Sequence, residues 1–61
     1  MALNLTRNID RPDDFYQELL DMQRDMEEDD VQLMNAKLIL ILSNHIGDHD
    51  ILSEAMRRAK E

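Results

Sequence analysis

The chain has 61 residues, with 14 acidic side chains against 7 basic ones and a formal net charge of −7. That length holds one small domain, and the absence of Cys excludes disulfides and zinc–thiolate sites. The negative balance argues against nucleic acid as a ligand, because phosphate binding needs a basic footprint that displaces counterions.

One Gly, one Pro and two aromatics, Phe15 and Tyr16, are too few turn and strand formers for a β-rich domain. Leu, Met, Ala, Glu, Gln, Lys and Arg are common, and all are good helix formers. The expectation is a small all-α, three-helix domain over residues 10–61, preceded by a short extended leader over 1–9. A chain this short buries only about 60% of its unfolded surface, so its core is marginal without a staple. With disulfides excluded, association into a helical homo-oligomer, with a dimer as the first choice, is the expected staple.

The leader carries Leu3, Leu5 and Ile9 without helical spacing, and these can fold over the helices or onto a partner. It has no charged-then-apolar signal layout. The longest apolar run, Leu38 to Leu42, falls far short of the roughly 20 residues that span a bilayer. No membrane segment is expected, and the location is read as cytoplasmic.

The first helix is expected over about residues 11–27. Asp10 can cap it, Pro12 suits its first turn, and Asp13 and Asp14 suit its positive end. Phe15, Leu19, Met22 and Met26 fall at spacings of four, three and four, which makes one apolar stripe that Tyr16 and Leu20 widen. The acidic run Glu27-Glu28-Asp29-Asp30 should end this helix, because carboxylates crowd unfavourably at a negative helix terminus.

The second helix is expected over about 30–46, with Gly47 in the left-handed position that closes it. At 100° per residue, Val31, Met34, Leu38, Ile41, Leu42 and His45 share one face, and Leu33, Ala36 and Leu40 fall nearly opposite, with Ser43 below them. Ile39 and Ile46 fill one flank, and only Lys37 and Asn44 mark a clear polar edge. A helix that is apolar on both faces is buried on both faces. The first and third helices can cover one of them; the other needs the leader or a second subunit. Leu33, Ala36 and Leu40, with Met34 and Leu38, are therefore the expected interface residues.

The third helix is expected over about 49–60, capped by Asp48, with Ile51, Leu52, Ala55, Met56 and Ala59 as its stripe. Arg57, Arg58 and Lys60 lie where cations favour a helix end, and Glu54 can pair with Arg58. Charge is split along the chain. Residues 10–30 hold ten acidic and two basic side chains, and residues 31–61 hold four of each. A solvated acidic face is the ordinary explanation, and steering toward a basic partner is the sharper one.

Several residues invite a chemical reading. His45 and His49 stand four apart beside Asp48 and Asp50, a spacing that can share a metal on one continuous helix. Gly47 breaks that helix, so a packed His45 and a solvent-facing His49 are expected instead, and both remain weak metal candidates. Ser43, His45 and Asp48 have the residue types of a nucleophile triad but lie within six residues, with no pocket or oxyanion hole implied. The junction at Gly47 has the outline of helix-turn-helix, but Arg57, Arg58 and Lys60 sit at the end that would leave the groove. The Met side chains read as adaptable core filler or as a plastic docking surface. Asn35, at the border of the core face, is expected to be exposed; a buried Asn there would fix register or partner choice.

The segment Leu33 to Asp48, with its pattern LNA-x-LIL-x-L-x-NHIGD, resembles a family of short bacterial proteins known only as a domain of unknown function. The departure is Met34 ahead of Asn35, where the family's leucine spacing is more usual. Met1-Ala2-Leu3-Asn4-Leu5 and Asp13-Asp14-Phe15-Tyr16 are similar too, so the resemblance covers nearly the whole chain. Such proteins are often encoded near flavin-dependent monooxygenases of aromatic catabolism, which implies a small accessory or regulatory partner of a catabolic enzyme. The family brings no catalytic residues and no cofactor to carry over. If Asn44, His45, Gly47 and Asp48 are its signature, His45 gains functional weight that capping does not explain.

The leading expectation is thus a non-catalytic accessory protein acting through protein–protein interaction. A small metal-binding, ligand-binding or catalytic protein built on His45 and His49 is one alternative. An acidic regulator of a basic nucleic-acid-binding protein is another.

Overall fold

The computed structural model describes residues 3–61, so the leader expectation at Met1 and Ala2 lies outside the described residues. Residues 3–10 carry no helix or strand. The Asn4 carboxamide oxygen accepts from the Thr6 amide at 2.9 Å and from its hydroxyl at 2.7 Å, an Asx turn. Leu3 is half-buried, while Leu5 and Ile9 are exposed.

Three helices follow: α1 (Pro12–Gln23), α2 (Glu28–Ile46) and α3 (His49–Lys60), with no strand among the described residues. The all-α expectation therefore holds. Two boundaries differ from the sequence reading. α1 stops at Gln23 rather than near residue 27, and α2 begins at Glu28 rather than near residue 30. The cause is electrostatic. Glu28, Asp29 and Asp30 occupy the first turn of α2, where the helix dipole favours carboxylates, instead of the last turn of α1, where it opposes them. The chain leaves α1 through tight i→i+3 bonds, Arg24 N–H to Asp21 O at 3.4 Å and Met26 N–H to Gln23 O at 3.2 Å. The Arg24 guanidinium folds back onto the Asp21 carboxylate.

The cap of α1 also differs. Arg11, not Asp10, is the N-cap, with a left-handed backbone (φ 49°) and no side-chain bond to the helix. The residue before a proline favours extended backbone, so the left-handed turn at Arg11 is an uncommon conformation for a non-glycine residue. Asp10 lies 3.8 Å from the Arg11 guanidinium as an exposed ion pair.

At the other junction the local chemistry is as read. Gly47 is left-handed (φ 73°) and its N–H bonds to Ser43 O at 2.8 Å. Asp48 caps α3, accepting from the Asp50 amide at 3.0 Å and the Ile51 amide at 3.1 Å. Among the described residues the ion pairs are Arg11–Asp10 and Arg24–Asp21, so Glu54 and Arg58 do not pair.

Packing between helices is sparse. No pair of helices packs along its length, and no described residue is fully buried. Leu19 and Gln23 of α1, Met26 in the turn after it, and Val31, Met34 and Leu38 of α2 are half-buried at this end of the molecule. Gln23 stands where an apolar stripe alone would not place it. Its amide donates to Asn35 Oδ1 at 2.8 Å and approaches Met34 Sδ at 3.7 Å. Phe15 and Met22, expected in the stripe, are exposed.

The consequence is an open molecule. The radius of gyration is 13.3 Å, against about 10.5 Å for a compact domain of this length. The accessible surface is 5886 Å², whereas a compact monomer of this mass exposes about 4,100 Å².

The α2–α3 junction depends on one glycine and one carboxylate. A Cβ on Gly47 would meet only Asn44 O at 3.7 Å, an ordinary contact, so the penalty there comes from the positive φ and not from crowding. Gly47→Ala is expected to cost about 1 kcal/mol, and Asp48→Ala about 0.5–2 kcal/mol, read by chemical denaturation. Asp48→Asn should recover most of the loss; an Asn variant no better than Ala would show that the side-chain cap is not what holds α3.

Candidate association surface

α2 is about 28 Å long and α1 about 18 Å, from a rise of roughly 1.5 Å per residue. α1 can therefore cover only part of α2, and its cover ends near Leu38. Past that point the inner face of α2 needs α3, which does not lie along it. Ile41 and Leu42, expected on the core face, are accordingly exposed, Ile41 at 65%. His45, expected to be packed, is exposed for the same reason.

The opposite face of α2 is open from Leu33 to Leu40, and Ser43 below it is half-buried. Leu33 is 54% exposed and Leu40 70%, with Ala36 exposed between them. Ile39 on the flank is 62% exposed. Of the residues expected at an interface, Leu33, Ala36 and Leu40 form this outward stripe, and Met34 and Leu38 are half-buried on the α1 side. The five thus divide between two faces. The stripe was legible as a second apolar side of the helix; the exposure of Ile41, Leu42 and Ile46 was not, because it depends on where α3 goes.

Chemistry-bearing side chains do not gather. His45 ends α2 and His49 begins α3, both exposed, with the Gly47 turn between them. Among the described residues no three His, Asp or Glu side chains stand where a metal ion could be held. Asp48 is engaged with two α3 amides, and the Ser43 carbonyl with the Gly47 amide. The concavities at the start of α1 and beside Met22 are open to solvent. The basic end of α3, Arg57, Arg58 and Lys60, is exposed. Among the described residues no helix is long and apolar enough to cross a membrane.

The chain, with three helices and no strand among its described residues, can be set beside known proteins on that basis. A family model described as "Protein of unknown function (DUF2783)" matches residues 3–61. The chain belongs to that family. The match takes in all three helices and the Gly47–Asp48 junction, in agreement with the resemblance carried by Leu33 to Asp48. No curated protein and no solved structure matches the chain.

Exposure sets an expectation for the histidines. A surface substitution that breaks no cap or packing contact changes stability by less than about 0.5 kcal/mol. His45→Ala and His49→Ala should each leave the helical circular-dichroism signal and the unfolding midpoint unchanged. A loss above about 1 kcal/mol for His45→Ala would place that ring in packed surroundings.

Proposed function

We propose that this chain is a non-catalytic accessory protein that works by associating with other protein chains, beginning with copies of itself. The observation that carries the reading is the uncovered apolar surface of α2. Leu33, Ile39 and Leu40 are each more than half exposed on a helix with almost no polar side. Monomers seldom leave contiguous apolar surface of this kind in water, and such patches mark protein contacts.

A larger enzyme is the second partner in this reading. Tyr16, Leu20 and Met22 on α1 are exposed and lie outside the α2 stripe, so self-association through α2 leaves them free. The family resemblance suggests a flavin-dependent aromatic monooxygenase for that role, and the lack of a signal layout in residues 1–9 suggests a cytoplasmic location. With −7 per chain, copies repel one another through solvent, so self-association should strengthen as added salt screens that repulsion.

Sedimentation across the micromolar range tests the proposal. The expected result is a mass above that of one chain, with a thermal midpoint that rises with protein concentration. Leu40→Asp removes an aliphatic group whose burial is worth about 1.5–3 kcal/mol and does so in every copy, so the dissociation constant should rise at least a hundred-fold, by roughly 3 kcal/mol. A stable folded monomer at about micromolar concentration would end the self-association reading.

A further inference from the structure

We infer that Gln23 and Asn35 form a latch that fixes how α1 is rolled against α2, and so decides which apolar side chains of α1 face outward. The latch acts within one chain and operates whether or not copies associate.

α1 is apolar over a wide arc. At 3.6 residues per turn, Met22, Phe15, Leu19, Tyr16 and Leu20 lie across about 160° of the helix surface. A single polar residue, Gln23, falls inside that arc, close to its middle. Leu19 and Gln23 are half-buried. Phe15 and Met22 on one flank, and Tyr16 and Leu20 on the other, are exposed.

Apolar contact alone does not choose one roll of such a helix. Hydrophobic burial has no direction, and the two flanks are alike: each carries one aromatic ring and one long aliphatic chain. Turning α1 either way trades one exposed pair for the other with little change in buried area.

A hydrogen bond has direction, and here it selects. The Gln23 amide donates to Asn35 Oδ1 at 2.8 Å and approaches Met34 Sδ at 3.7 Å. Among the described residues no other side-chain hydrogen bond or ion pair joins one helix to another. A roll of about 60° brings one flank to the centre and carries a side-chain end, about 5–6 Å from the axis, through a similar distance. That breaks a bond whose useful range ends near 3.2 Å. A polar pair set in an apolar contact gives up some stability and gains a single geometry. With the latch closed, both flanks of α1 face solvent, including the Tyr16, Leu20 and Met22 proposed above to meet a larger enzyme.

The chain has no Cys, so pairs of introduced cysteines can carry spin labels at chosen sites. One label goes on Lys37→Cys of α2. The other goes on Leu20→Cys or Met22→Cys, one from each flank of α1. Labelled chains are diluted with excess unlabelled chain, so that each distance is read within one molecule. A roll shifts the two distances in opposite directions, which fraying of α1 does not. The wild-type background should give two narrow distributions. Gln23→Leu adds apolar surface and should keep the helical circular-dichroism signal, while both distributions broaden by about the 5–6 Å of the roll. Gln23→Asn falls one methylene short and should broaden them too; adding Asn35→Gln restores the reach and the narrow distances. Narrow, unshifted distances in Gln23→Leu would overturn the latch. So would a Gln23→Asn, Asn35→Gln double variant no narrower than Gln23→Asn alone, or a wild-type background already broad at both sites. If Gln23→Leu aggregates through its added apolar surface, Asn35→Ala decides: it opens the latch from an exposed position, and unchanged distances there overturn the proposal.

Discussion

α2 carries apolar side chains around most of its circumference, and two helices of 12 residues each are all the chain has to set against them. Every other feature of the molecule is arranged around that mismatch. The inner face of α2 is half-buried as far as Leu38 and exposed beyond it, and α1 is some ten ångströms shorter than α2, at about 1.5 Å per residue. Gly47 and Asp48 end α2 and start α3 cleanly, and α3 does not pack along the remaining surface. What is left over, from Leu33 to Ile46, is the part of the molecule with something to gain from a neighbour.

The weakness of the internal packing has a physical counterpart in helix length. Isolated helices under about 12–15 residues are marginal in water, because nucleation is costly and each added bond returns little. α1 and α3 are both at that limit. Their order has to come from caps, dipole complementarity and contacts with α2. The caps are unequal. Asp48 satisfies two amides of α3, while the start of α1 relies on Arg11 in a left-handed turn with no side-chain bond. The link between α1 and α2 is partly polar, through Gln23 and Asn35, and it holds orientation more than it adds stability. Association that buries the α2 stripe would therefore stabilise the whole chain at once, since both short helices depend on the long one.

Electrostatics works in two directions. The acidic density between Asp10 and Asp30 stabilises the starts of α1 and α2, where carboxylates meet positive helix ends. The same density makes copies repel at long range. Any self-association must bury enough apolar surface to exceed that repulsion, and it must keep the two acidic clusters apart. Both conditions point to the stretch of α2 from Leu33 onward, past the acidic run, as the part that carries the contact.

Helix count, the Gly47–Asp48 junction and the two apolar faces of α2 were legible in the residues themselves. They depend on local chemistry: propensity, a positive φ at one glycine, a carboxylate within reach of two amides, and a repeat of 3.6 residues. The ends of α1 and α2 were misjudged because one acidic run could either close the first helix or open the second, and only the geometry of both helices together decided it. His45 and Ile41 were placed on a core face correctly read from periodicity, yet they are exposed. Periodicity says which side chains share a side of a helix. It does not say whether another helix is long enough, or aimed correctly, to lie against that side, and here the direction of α3 and the short reach of α1 settled the matter.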